Sequence, residues 1–333
     1  MARELPESAP SFGVDAPAYV AIRGVMYLAA LTVIGCCAFI LLIAPRVSHL
    51  SGSYLEVSAV VPSTRKLARW ATVVLAFAMV GRLLAQGFMI GEGESVIVLP
   101  LLQDTVWGWG WLLGAGATVV IALALIVGIG RRWTWRVAAA ASIALALSFS
   151  ITGHAISTHT SPALHVIFDA IHVMAAGGWL GTLLVTSTVG LHTVLMLPIE
   201  KRGHAGAELI NTFSTFALAC VATLVATGVI AAWSHLPTVS ALWTTPYGLA
   251  LSRKLIFIAL TGVVGIFNWR YVKPRLTNVD TIPLLRKSAS VELAIGVAVV
   301  ILTAILVGTS PPDTDDSPAP TAQHASAHVL VRV

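Results

Sequence analysis

Apolar runs alternate along the chain with short polar segments that hold most of the prolines and charges. A helix of about 20 predominantly apolar residues spans the hydrocarbon core of a bilayer. By that ruler the pattern predicts eight spanning helices, over roughly residues 18–44, 66–90, 106–129, 134–152, 163–196, 208–233, 249–272 and 287–309. The gaps are punctuated by Pro45, Pro62, Pro100, Pro162, Pro198, Pro237, Pro246, Pro274, Pro283 and Pro311. The expected fold class is all-α, a polytopic integral membrane helix bundle. Residues 1–17 read as a short outer N-terminal segment, 18–152 as helices one to four and 153–312 as helices five to eight. Residues 313–333, rich in Pro, Asp, Ser and Ala, read as a disordered outer tail carrying His324 and His328. No internal repeat is legible.

Composition strengthens this picture. Of 333 residues, 57% are hydrophobic and only 11% charged, with mean hydropathy +0.87, whereas soluble domains carry about 25% charged residues. The net charge of +5 points to bilayer topology rather than nucleic acid. Arg46, Arg65, Lys66, Arg69, Arg131, Arg132, Arg136, Lys201, Arg202, Lys273, Arg275, Arg286 and Lys287 cluster at one set of alternate loops. Cytoplasmic loops hold the Lys/Arg excess, so both termini are expected outside. His154, His159, His165 and His235 then fall at the outer face. The N-terminus lacks a basic segment followed at once by an apolar core, so the first span is expected to serve as the membrane signal. Cys36, Cys37 and Cys220 lie in apolar stretches and read as small core residues. Trp107, Trp109 and Trp111 read as an interfacial belt.

The fifth apolar stretch is too long for a simple span. About 34 helical residues reach roughly 50 Å against a core of about 30 Å. Either its first turns, opened by Ser161-Pro162, project outward, or Gly177-Gly178 permits a bend. This stretch also follows the densest chemistry in the chain: His154, His159, His165, Asp169 and His172. Residues 165, 169 and 172 stand at i, i+4 and i+7, on one helix face. An ion held by Asp169 with His165 or His172, completed by His154 from the fourth span, is one reading. A buried Asp–His hydrogen bond joining two spans is the other. Imidazole suits copper, zinc, iron and nickel. Ionisable or polar groups within spans face the protein interior and either pair or line a path. Here these are Arg23, Arg82, Lys254, Asn268 and Glu292. No hydrolytic triad, phosphate-binding loop or dinucleotide fingerprint is visible, so the chain is not expected to be an enzyme.

Several short motifs, in order, resemble a known family. Gly153-His154-Ala155, Asp169-Ala-Ile-His172 and Trp179-Leu-Gly181 are similar to the central signature of the CopD/PcoD copper resistance proteins. The likeness continues through Thr212-Phe213, Thr227-Gly228, Tyr247-Gly248, Lys254, Asn268-Trp-Arg270, Val291-Glu292-Leu293 and Pro311-Pro312. The resemblance implies an eight-helix protein of the bacterial inner membrane that handles copper ions, by uptake into the cytoplasm. It implies His154, Asp169 and His172 as receivers of copper and a CopC-type periplasmic carrier as donor. The N-terminal segment is too short to fold alone, so that carrier is expected as a separate chain. Two other functions remain open: a b-type haem held by two histidines such as His154 and His172, and a non-transporting partner that senses copper or helps metallate an oxidase.

Overall fold

The computed structural model describes residues 16–50, 57–91, 95–127, 131–153, 162–235, 238–272 and 282–309. Most of the expected outer N-terminal segment, the outer tail with His324 and His328, the loop histidines His154 and His159, and Lys273 and Arg275 lie outside the described residues. Every regular element among the described residues is helical. Eight helices are long and apolar enough to cross a membrane: α1 (Pro17–His49), α2 (Val57–Ile90), α3 (Val106–Val127), α4 (Arg132–Ile151), α5 (Pro162–Leu195), α6 (Ile199–Trp233), α7 (Pro246–Phe267) and α8 (Leu285–Leu306). The expected all-α membrane bundle of eight helices is what the chain forms. Phe77, Leu218, Trp233 and Val263 are exposed on its outer surface. So much outward apolar area suits lipid rather than water.

The proline punctuation fails in two places, for a local reason in each. Pro62 lies inside α2, not in a gap. It is the sixth residue of that helix, just past the four N–H groups that lack an intrahelical acceptor, so the helix forgoes one backbone bond there and continues. Pro45 likewise lies inside α1, after a wide π-type turn at Phe39–Ile43 in which the Ala44 N–H reaches the Phe39 carbonyl. A proline ring clashes with the carbonyl four residues earlier, and the widened turn relieves that clash. Helices α2 and α6 also begin earlier than the apolar ruler placed them. The added start of α6 is polar, with Glu200, Lys201 and Arg202, and His204 pairs with Glu208 across one turn (3.2 Å).

Helix α5 resolves its excess length by rewinding. It runs regularly over Pro162–Ala176, widens at Gly177–Gly181 and again at Thr186–Gly190, and ends at Leu195. The Gly177-Gly178 step is therefore where the regular helix stops. The first wide turn is also where α5 crosses α1. A Cβ on Gly181 would run into the Leu31 carbonyl, and one on Gly35 into the Gly181 backbone. Only glycine at both positions lets the two backbones touch. Helix α1 is the central column, packed on α2, α4, α5 and α8. Its buried residues from Met26 to Ile43 share their apolar clusters with the buried residues of α5 from Leu180 to Val194.

One local unit recurs although no repeat is legible in the sequence. Before α3, Thr105 Oγ1 accepts from the Gly108 N–H (2.9 Å) and donates to the Leu101 carbonyl (2.6 Å). Before α7, Thr245 Oγ1 accepts from the Gly248 N–H (3.0 Å) and donates to the Ala241 carbonyl (2.8 Å). In each unit the glycine packs on the backbone of a preceding short helix, Leu99–Asp104 or Ala241–Thr244. The shared signature is Thr-x-aromatic-Gly, four residues too short to stand out alone.

Arg82 and the Trp107 group tie the spans α2, α3 and α4 together. Arg82 donates to Thr152 Oγ1 (2.9 Å) and to the Thr152 carbonyl (3.0 Å), and lies over the Trp107 ring (5.4 Å). It thus places a cation at the C-terminus of α4, where the helix dipole favours one. Trp111 donates to the Met79 carbonyl (3.0 Å), leaving Trp109 as the exposed member of the three. The expected belt is one outward tryptophan flanked by two packed ones. The cysteines are free and buried, as their apolar settings suggested.

Candidate functional site

Polar side chains gather at two levels of the bundle, both touching α5. The first level begins with His172, half-buried on the regular part of α5. Its Nδ1 stands 2.8 Å from Thr227 Oγ1 on α6. The Thr227 hydroxyl proton is already committed, because that oxygen donates to the Thr223 carbonyl (2.7 Å). A hydroxyl has one proton to give, so Thr227 accepts from His172 and Nδ1 carries the hydrogen. In the neutral imidazole this tautomer leaves the Nε2 lone pair for a ligand. Gly228, beside Thr227, borders the imidazole: a Cβ there would stand in ordinary van der Waals contact, 3.7 Å from His172 Cε1. Thr227-Gly228 is thereby tied to His172 in space.

Asp169 lies almost one turn before His172 and remains exposed. The Lys254 ammonium, on α7, lies within electrostatic reach of both Asp169 and His172. Depth explains the meeting: Asp169 and Lys254 each sit about two turns into helices that start on the same face of the bundle. The Tyr27 phenol of α1 is within electrostatic reach of Asp169, Arg82 and Arg23. Arg23 in turn donates to the Ala304 carbonyl of α8 (2.6 Å) and lies over the Tyr19 ring (4.7 Å). Charges of both signs therefore lie within electrostatic reach of one another at this level, as intramembrane ions require.

The second level lies about 10 Å further along α5, seven residues on. The Trp179 indole hydrogen-bonds the Glu292 carboxylate of α8. The Asn268 amide donates to Glu292 Oε2 (3.2 Å), and Ser288 Oγ donates to Asn268 Oδ1. Every member of this set has a named partner. Lys254 and Glu292 accordingly belong to different levels.

Among the described residues, no three His, Cys, Asp or Glu side chains gather closely enough to hold a metal ion. The structure brings Asp169, His172 and Lys254 together and sets Asn268 with Glu292. His165 stays about 10 Å along the axis from His172. Arg82 serves the end of α4, and His154 is outside the described residues. Sequence reasoning missed the roles of Thr227, Ser288, Tyr27 and the Trp179 indole. Thr227-Gly228 and Trp179 were visible as motif residues, but helix neighbours cannot be read from a single span.

Comparison with known proteins matches the descriptions of both parts of one family. Residues 14–162 match the copper resistance protein D-like N-terminal domain, and residues 207–306 match copper resistance protein D. The chain belongs to the copper resistance protein D family. A relative, the copper transport protein CutJ of Bacillus subtilis (strain 168), is 26% identical over 176 residues. That alignment covers 51% of this chain but 30% of the relative, so the chain matches less than a third of that protein's length. No solved structure matches. Within the copper resistance protein D match, the 207–306 region supplies Thr227, Lys254, Asn268, Ser288 and Glu292, whereas His172 and Trp179 fall between the two matched regions.

Proposed function

We propose that this protein carries copper across the bacterial inner membrane, inward from the face on which α5 and α7 begin. The observation that carries the reading is the hydrogen bond between His172 and Thr227. It sets the tautomer in which a neutral imidazole offers Nε2, next to an accessible carboxylate, inside a spanning helix of a copper resistance protein. Copper is the cargo, received by His172 Nε2 and an Asp169 oxygen, with His154 or His165 completing its shell. Lys254 acts as a tethered cation that balances Asp169 between cargo ions. An arriving copper ion displaces the ammonium, and the ammonium's return favours release. The Trp179, Asn268 and Glu292 set offers the next polar station along α5. A separate CopC-like periplasmic carrier delivers the ion to the outer face.

Two measurements test this. Cells expressing the protein in copper-limited medium should accumulate more copper than cells without it; lower accumulation would reverse the direction, and equal accumulation with a copper-poor oxidase would favour a metallation partner. Thr227→Val keeps the side-chain shape but removes the acceptor for His172 Nδ1. Losing such an outer-shell partner typically weakens metal binding about 10- to 100-fold. Competition against a copper chelator should show that loss in well-folded protein. Unchanged affinity would remove Thr227 from the site.

A further inference from the structure

The two halves of the bundle are built alike. Spans α1 and α5 both open on Pro-Ala, at Pro17-Ala18 and Pro162-Ala163, and each later contains a wide turn, at Phe39–Ile43 and Thr186–Gly190. The helices of α2 and α6 are 34 and 37 residues long and end at Ile90 and His235. A short helix and a threonine then lead into α3 and α7, each of 22 residues. Finally, α4 packs on α3 and α5, as α8 packs on α7 and α1. These are the relations of parallel repeats about an axis along the membrane normal, and the Gly35–Gly181 crossing of α1 and α5 lies at that axis.

One seam breaks the likeness. In the first half, polar groups pin α2 to α3. Trp111 donates to the Met79 carbonyl (3.0 Å), and Thr118 Oγ1 stands 3.4 Å from Met79 Sδ. Arg65 and Arg69 donate to the Leu125 carbonyl (3.0 and 2.7 Å). Counted back from Ile90 and His235, Met79, Arg69 and Arg65 correspond to Leu224, Ser214 and Ile210. Counted on from Thr105 and Thr245, Trp111, Thr118 and Leu125 correspond to Leu251, Ile258 and Gly265. The second half thus has leucine for the indole, isoleucine for the hydroxyl, and isoleucine and serine for the guanidinium groups. Where α7 begins, Ala232 of α6 joins the cluster of Ala250, Leu251 and Leu306. Beyond that cluster the seam stands open. Thr118 is 5% exposed but Ile258 39%; Leu125 is 1% exposed, whereas a Cβ on Gly265 would meet nothing within 4 Å. Helix α7 is the least buried of the eight spans.

Lipid tails are as apolar as leucine, so closing an apolar seam in a bilayer gains no hydrophobic energy, and interhelical hydrogen bonds and packing decide whether it stays shut. The α6–α7 seam lacks those bonds. Lys254 stands on the face of α7 that would close. Its counterpart is Gly114, where a Cβ would come within 2.9 Å of Met79 Cε. The counterpart of Met79, Leu224, lies one turn before Thr227, which bonds His172. We infer that α7 is a moving helix, which swings onto α6 into the arrangement that α3 keeps on α2, and so opens and closes the way to the His172–Thr227 pair. The movement stands on the repeat alone; its role as a gate rests on the copper station proposed above.

Disulfide trapping of the full chain in membranes tests the inference, in a C36A/C37A/C220A background that removes the native thiols. The seam pair is L224C/I258C, and the reference pair, at the matching positions of the pinned seam, is M79C/T118C. Oxidation with diamide should trap both pairs, read as loss of both thiols to a mass-tagging maleimide, whereas I258C alone should keep its thiol. Cells with the linked seam pair should fall in copper accumulation to the level of cells that lack the protein, and reduction should restore it. The linked reference pair should accumulate normally. Should L224C/I258C fail to fold, S214C/G265C poses the same question at the far end of the seam, where Gly265 has open space. Free thiols in the seam pair beside a trapped reference pair would overturn the movement. A trapped seam with unchanged accumulation would overturn the gate. Wild-type cells that accumulate no copper would remove the copper reading and leave trapping to decide the movement.

Discussion

Replacing His172 with alanine should reduce copper accumulation to the level of cells that lack the protein, while its abundance in the membrane stays normal. The reason is specific to one atom. Thr227 holds Nδ1 (2.8 Å) and thereby presents Nε2, and alanine removes that nitrogen altogether. The fold should survive, because His172 is half-buried and the Thr227 hydroxyl keeps its bond to the Thr223 carbonyl (2.7 Å). Removing an outer-shell partner already weakens a metal about 10- to 100-fold, so removing the ligand itself should exceed the Thr227→Val effect. Elemental analysis of washed cells beside an immunoblot gives the comparison. Normal accumulation in the alanine variant would take His172 out of the copper path.

The second large effect is on assembly rather than on copper. Gly181→Leu should prevent recovery of monodisperse protein, because α1 and α5 meet there backbone to backbone. A Cβ on Gly181 already collides with the Leu31 carbonyl and the Gly35 backbone, and neither atom can rotate away. Separating the helices would also withdraw Trp179, two residues earlier, from Glu292. Losses above about 4 kcal/mol belong to this kind of core disruption. Size-exclusion chromatography of detergent extracts should show at least a tenfold loss of the monodisperse peak, with Gly181→Ala intermediate. A Gly181→Leu protein that elutes like wild type would mean that the close crossing is not required.

These two cases mark what the sequence exposed and what it hid. The spans were legible because lipid demands about 20 apolar residues from every helix, and interruption by charge is hard to miss. The shared face of His165, Asp169 and His172 was legible because it depends on helical period alone. The partners of that face were not. Thr227 is an ordinary threonine in an apolar run until α6 is seen beside α5. Lys254 and Glu292 could have paired with each other by charge, but depth separates them: Lys254 lies within electrostatic reach of Asp169, and Glu292 bonds Asn268 and Trp179. Pro45 and Pro62 misled for the complementary reason. Proline forbids a normal helical bond, yet the wide turn before Pro45 relieves its clash, and the long helix around Pro62 absorbs the loss of one bond near its start.

The most direct test of the copper station is the copper content and visible absorption of the detergent-purified protein, wild type beside His172→Ala. About one copper per chain, lost in the variant and without a Soret band, is the expected result; one ion matches one free imidazole nitrogen and its neighbouring carboxylate. A Soret band that disappears in the variant would contradict the proposal and make this a haem protein. Equal copper in both proteins would contradict it too, and would leave the His172–Thr227 bond as a structural link between α5 and α6.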